Sequence, residues 1–318
     1  MNTTTKFAGF GLGLAAVFGI ALGIGALVGP EPTEPAGHGA HETPGAAATQ
    51  IPAGLTATEN GYTLRLDTDR TTADANATVR FRILRADGTP LTSYTTNHDK
   101  DLHLIVIRRD LTGFQHVHPT LDPSGTWSVP LNLSRAGDYR VYADFTPAGA
   151  AGQTLGADLR VAGAYDPRPL PAPATTTTVD GYTVTLDGTI TPGQSSRVTL
   201  SVARDGKPVT DLQPYLGAYG HLVALRAADL GYLHVHPEGT PGDGRTPSGP
   251  GITFSVTAPS QGDYRLFLDF QHAGTVRTAE FTVAATTATT ATTAPSGAPT
   301  PTPAAPAPAP GGDGHGGH

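Results

Sequence analysis

The sequence predicts an all-β chain: two tandem Ig-like β-sandwich domains, with an N-terminal transmembrane helix, a disordered stalk and a disordered C-terminal tail. Three observations predict it. The stretches LHLIVIRRDLTGFQHVHP (102–119) and GHLVALRAADLGYLHVHP (220–237), 18 residues each, are identical at 8 positions, so a unit is duplicated. Around them, apolar and polar residues alternate in short runs between Gly, Pro and Asp turns, which is the strand pattern, and no helical period appears inside either copy. One uncharged apolar run, FAGFGLGLAAVFGIALGIGALVG, fills residues 7–29.

Residues 1–29 read as a signal anchor. A helix rising about 1.5 Å per residue crosses a bilayer with a run of this length. Lys6 precedes the run and Glu31 and Glu34 follow it. The positive-inside rule therefore keeps the N-terminus cytoplasmic and places the bulk outside, as a single-pass protein of the cell membrane. Secretion after signal cleavage is the alternative, although no clear A-x-A site follows. Residues 30–52 are Pro-, Gly- and Ala-rich and read as a flexible stalk. The first sandwich spans 53–163, a linker 164–176 and the second sandwich 177–284. Residues 285–318 form a Thr/Ala/Pro-rich tail ending in histidine, with no basis for a packed core.

Each copy opens on Gly-Tyr-Thr, at Gly61 and at Gly181, and continues into an alternating strand (79–85 and 198–204). Each then passes an Asp-Gly turn, the histidine segment and a GDYR-x-x-x-DF strand ending at Phe145 or Phe270. About seven short strands in roughly 100 residues is the Ig-like pattern. Tyr139 and Tyr264, each after Gly-Asp, have the position of a tyrosine corner, in which the phenol bonds back to the preceding loop. Val141 and Leu266 stand where an antibody domain has its second cysteine, so aliphatic packing closes this core.

Composition excludes several functions. There is no cysteine, hence no disulfide, thiolate site or Cys nucleophile, and the one methionine is Met1, so thioether ligation of Cu(I) is excluded. The net charge is -7 and no basic run occurs, which argues against a nucleic-acid partner. No Gly-x-Ser-x-Gly elbow or phosphate-binding glycine loop is present, so no enzyme activity is expected.

The chemistry-bearing feature is His-x12-His-x-His, as His103, His116 and His118 and again as His221, His234 and His236. Residues i and i+2 of a strand point to one face, with Cα atoms about 6.6 Å apart, so the paired histidines can converge on one ion. The third comes from the preceding strand of a hairpin, either directly opposite His118 or one diagonal step away. Asp144 and Asp269 end the strand expected beside the histidines and are candidate fourth ligands. Parity opposes them: counted from the inward Val141, Asp144 lies on the outer face, whereas His103, Ile105 and Ile107 read as the inner face. A bulge would be needed to reconcile the two. Imidazole with carboxylate suits Cu(II) or Zn(II), copper slightly favoured outside the membrane. His38, His41, His315 and His318 lie in Gly-rich text that can scavenge metal weakly. His98 and His272 have no counterpart in the other copy and read as surface residues.

The signature GHLVALR (Gly220–Arg226) with YLHVHP (Tyr232–Pro237), degenerate in the first copy as LHLIVIR and FQHVHP, resembles that of membrane-anchored extracytoplasmic proteins of actinobacteria with tandem sandwich repeats. That resemblance implies fold and location. More loosely, the units resemble CopC- and YtkA-type sandwiches, which implies extracytoplasmic copper handling; the N-terminal histidine of CopC-type proteins is replaced here by the apolar run. His-Val-His on a sandwich strand also resembles copper–zinc superoxide dismutase, but the bridging histidine, zinc loop and disulfide are missing. The expected function is thus a membrane-tethered, non-catalytic metal-binding accessory protein whose partners are the membrane and a metal ion. The alternative is a structural or adhesive display module with no metal site.

Overall fold

The computed structural model describes residues 51–233 and 235–287. The expected membrane helix, nearly all of the stalk, and the tail from residue 288 lie outside the described residues. Among the described residues there are twenty strands and no helix, hence none long and apolar enough to cross a membrane.

The strands form two pairs of sheets, one pair per copy of the repeat. In the first copy, a sheet built on Tyr62–Leu66, Asp74–Arg85 and Trp127–Leu133 faces one built on Leu102–Arg108, Gly137–Phe145 and Gln153–Ala162. Between them lies a core that includes Phe81, Leu104, Trp127, Val141 and Leu159. The second copy repeats this with Tyr182–Asp187, Ser195–Arg204 and Gly251–Thr257 against Gly220–Arg226, Gly262–His272 and Thr275–Ala285. Its core includes Phe254 and Ile252, which by register stand where the first copy has Val129 and Trp127. Both tyrosine corners form: the Tyr139 hydroxyl donates to the Arg135 carbonyl at 2.7 Å and that of Tyr264 to the Ser260 carbonyl at 2.9 Å. Val141 and Leu266 are fully buried beside them, as aliphatic closure of the core requires.

A third apolar cluster lies between the sandwiches. It gathers Ile105, Ile107, Leu111 and Tyr142 of the first with Val223, Leu225, Leu230, Tyr232 and Phe267 of the second. The rings of Phe114 and Phe267 stack at 4.1 Å, and the Tyr142 hydroxyl donates to the Leu230 carbonyl. The two histidine-bearing sheets therefore pack outer face to outer face. This corrects the face expected for the histidines. Leu102, Leu104 and Val106 point into their own core, whereas Ile105 and Ile107 point at the other sandwich. His103 shares the parity of Ile105, so it too faces the second sandwich. The strand LHLIVIR is apolar on both faces because both are covered, as in a central strand with packing on each side.

Two connections fasten the pair. Before the first strand, Ala53 pairs with Tyr232 of the second sandwich, while Gly54 donates to the Thr154 carbonyl and accepts from Arg140. Gly156 must be glycine there, because a Cβ would lie 1.9 Å from the Gly54 carbonyl oxygen. The segment expected as a linker is held as well: Arg108 and Arg135 both donate to the Asp166 carbonyl, and Asp110 accepts from the Arg168 amide.

Candidate metal centre

The Leu102–Arg108 strand pairs with Gln115–Val117 so that Leu104 opposes Val117 and Ile105 opposes His116. Continuing that register by one residue sets His103 against His118, the direct alternative of the two expected. The hairpin closes tightly: Leu111 and Gly113 take left-handed φ of 61° and 67°, and the Asp110 carboxylate accepts from the Thr112 amide and hydroxyl. An Asp side chain that caps its own turn in this way fixes loop length, and with it the pairing register.

That register brings three imidazoles together. His103 Nδ1 lies 3.1 Å from His116 Nε2 and 3.2 Å from His118 Nε2. The ring centroids are 5.3, 5.0 and 5.1 Å apart in the three pairs, close to an equilateral triangle. Two nitrogens each about 2.0–2.1 Å from a tetrahedral ion lie roughly 3.3 Å apart, with ring centroids roughly 5 Å apart. His103 and the His116 side chain are buried, and His118 is half-buried.

The outer nitrogens fix the tautomers. His103 Nε2 is 3.1 Å from the Asn97 carbonyl, which can only accept, so Nε2 carries the proton and Nδ1 presents a lone pair. His116 Nδ1 is 2.7 Å from Asp269 Oδ2 and donates to it, which leaves the Nε2 lone pair aimed at His103. Two lone pairs facing at 3.1 Å repel unless a cation, either a proton or a metal ion, sits between them. Neutral imidazoles whose single N–H is held by a carbonyl or a carboxylate are the ordinary arrangement of histidine metal ligands.

Burial disfavours the charged rings. It pushes His103 down to about 3, with His116, His118 and His221 adding to the shift against the Asn97 carbonyl. Burial likewise lowers His118 and His221, each to about 4. These rings titrate near 6.5 when unfolded, so below that pH the unfolded chain binds more protons and stability falls as acid is added. The metal-free protein should lose stability as the pH falls from about 6.5 towards 4. Urea midpoints across that range measure this, and a flat profile would contradict it.

The carboxylates depart from expectation. Asp144 opposes His103 in register and shares its face, so no bulge is required; the parity objection disappears because the histidines face outward from their own core. Among the described residues the ligand atoms that lie close together are those of the three imidazoles, and Asp144 Oδ1 accepts from the Thr154 hydroxyl. Asp269 opposes His221 in its own sandwich but is bonded to His116 of the other. It thus reaches the first copy's histidine cluster through His116.

In the second copy, His221 repeats the anchoring of His103: its Nε2 is 2.9 Å from the Tyr215 carbonyl, which also lies six residues upstream. The backbone of His236 joins the strand Gly251–Thr257, opposite Ser255. His234 and the side chain of His236 lie outside the described residues. His272, expected at the surface, bonds the Tyr182 hydroxyl and Asp211. His98, expected at the surface, is exposed; its ring lies 5.0 Å from that of His221, and a cavity of about 480 Å³ opens beside it, lined by Asn97, Lys100, Asp101, His103 and Asp144. Residues 98 and 99 both adopt left-handed φ in the loop that also supplies the Asn97 carbonyl.

A family model described as "Domain of unknown function (DUF8832)" matches this chain twice, over residues 56–162 and 177–287. The chain belongs to that family. Its two DUF8832 copies coincide with the two sandwiches, and each contains one histidine hairpin. No curated protein matches the chain. Solved structures it is similar to include FdeC, an adhesin of Escherichia coli, at 15% identity over 72% of this chain and 65% of that one, with a TM-score of 0.22. Others are the adhesin InvE of Yersinia pseudotuberculosis (14% identity, 73% and 60%, TM-score 0.20) and a Salmonella alpha-2-macroglobulin mutant (13%, 75% and 15%, TM-score 0.25). The chain thus spans less than two thirds of the length of each.

Proposed function

We propose that this DUF8832 protein binds a divalent transition metal, Cu(II) or Zn(II), through His103 Nδ1, His116 Nε2 and His118 Nε2, and performs no catalysis. The observation that carries this reading is the pair of imidazole lone pairs facing at 3.1 Å, with a third ring nitrogen 3.2 Å from one of them. An ion among the three would replace a repulsion by three bonds. All-nitrogen ligation suits Cu(II) and Zn(II), and the sequence offers no thiolate to select a softer ion. Tethering by the apolar run at 7–29 would put the site outside the cytoplasm, and the His-bearing stalk and tail would add weak metal capture. The second histidine set, His221, His234 and His236, belongs to the same proposal through its identical spacing.

A second reading is a structural or adhesive display module. A single proton shared between His103 and His116 would also reconcile the two rings, with the hairpin then held by hydrogen bonds alone; two of the similar solved structures named above are adhesins. Thermal unfolding with and without added Cu(II) or Zn(II) separates the readings. The metal reading expects stabilisation that depends on His103 and His118, and the display reading expects none.

A further inference from the structure

We infer that the centre is completed across the domain interface: Asp269 of the second sandwich is the carboxylate that orients His116 of the first, so metal binding and docking of the two sandwiches are coupled. This rests on the metal reading above. The contact joins residues 153 positions apart, and both side chains are nearly buried, 5% exposed for His116 and 6% for Asp269. Asp269 is fixed from its own side, since Thr278 on the neighbouring strand donates to Oδ1 while His116 Nδ1 donates to Oδ2. It stands on the face that carries Val223 and Phe267, in line with the apolar interface.

The chemistry follows from that placement. A carboxylate buried beside apolar neighbours is costly unless a positive group balances it. When a cation sits on His116 Nε2, the ring's Nδ1 proton becomes more acidic and its hydrogen bond to Asp269 strengthens. The carboxylate in return makes Nε2 a better donor to the ion. If the sandwiches part, His116 loses its orienting partner and the ion loses affinity. By linkage, an ion that binds more tightly to the docked form must favour docking by the same factor.

The test uses the full chain and Zn(II) alone. Affinity is measured by competition with a chromophoric chelator strong enough to outcompete the histidines of the stalk and tail. Amide hydrogen exchange is followed over residues 220–226 and 262–272. Asp269→Ala should weaken zinc binding about 10–100-fold, the usual effect of removing such a partner. Asp269→Asn, which keeps an acceptor oxygen but loses the charge, should fall between the two. With the second histidine set removed (His234→Ala/His236→Ala), zinc should slow exchange in the second sandwich although all three remaining ligands belong to the first; adding Asp269→Ala should abolish that slowing. If Asp269→Ala does not fold, Asp269→Asn and Thr278→Val carry the comparison. Unaltered zinc affinity in these variants, or zinc protection confined to the first sandwich, would overturn the coupling while leaving the metal reading intact. Absence of zinc binding by the unaltered chain would overturn both.

Discussion

Replacing Phe267 by alanine is expected to destabilise the protein by about 3–5 kcal/mol, the cost of deleting a fully buried aromatic ring. Phe267 is fully buried, yet it does not belong to the core of its own sandwich. Its ring stacks on Phe114 of the other at 4.1 Å, nearly parallel, and it packs in the cluster that holds Ile105, Tyr142 and Leu225. The Arg265 guanidinium lies over the ring, 5.2 Å from its centre. The loss is therefore a loss of interdomain contact and should couple the unfolding of both halves. Urea denaturation followed separately in the two sandwiches measures it. A cost below about 1 kcal/mol, the range of exposed positions, would mean that the sandwiches do not rest on each other.

The second large effect is ligand-dependent. At a free metal concentration a thousand times Kd, a single site that binds only the folded chain adds about 4.1 kcal/mol of stability. The double variant His103→Ala/His118→Ala should lose all of this while leaving the His116–Asp269 bond in place. That choice matters, because removing His116 would strand a buried carboxylate and destabilise the chain for reasons unrelated to metal. In the absence of metal the double variant should be less sensitive to acid than the unaltered chain, since it lacks two rings whose protonation burial opposes. Melting curves with and without Zn(II) or Cu(II) give both results. Equal metal stabilisation in the two proteins would remove the triad from the account.

Much of the architecture was legible in the sequence because it is local or repeated. The tyrosine corners were readable from Gly-Asp-Tyr, and the hairpin that joins His103 to His116 and His118 from its short turn, although the sequence left two registers open and the pairing of Ile105 with His116 selects one. Alternation also separated the two faces of each strand. It could not say which face was the domain's own core, because LHLIVIR is apolar on both, and the count therefore placed His103 on the wrong side. Asp269 was found as a candidate through its repeat position. Its true partner, His116, lies in the other copy, and nothing in local periodicity encodes contact between two outer faces. His98 read as a surface residue and is exposed, but its ring contact with His221 depends on a loop conformation that no local pattern encodes.

The most direct measurement is anomalous diffraction from crystals of the protein soaked in Zn(II), recorded on both sides of the zinc edge. The account predicts a peak about 2.0–2.1 Å from His103 Nδ1, His116 Nε2 and His118 Nε2 together, with the His116–Asp269 bond retained. Rings unchanged at their present separations with no peak among them, at zinc concentrations that saturate other sites, would contradict it.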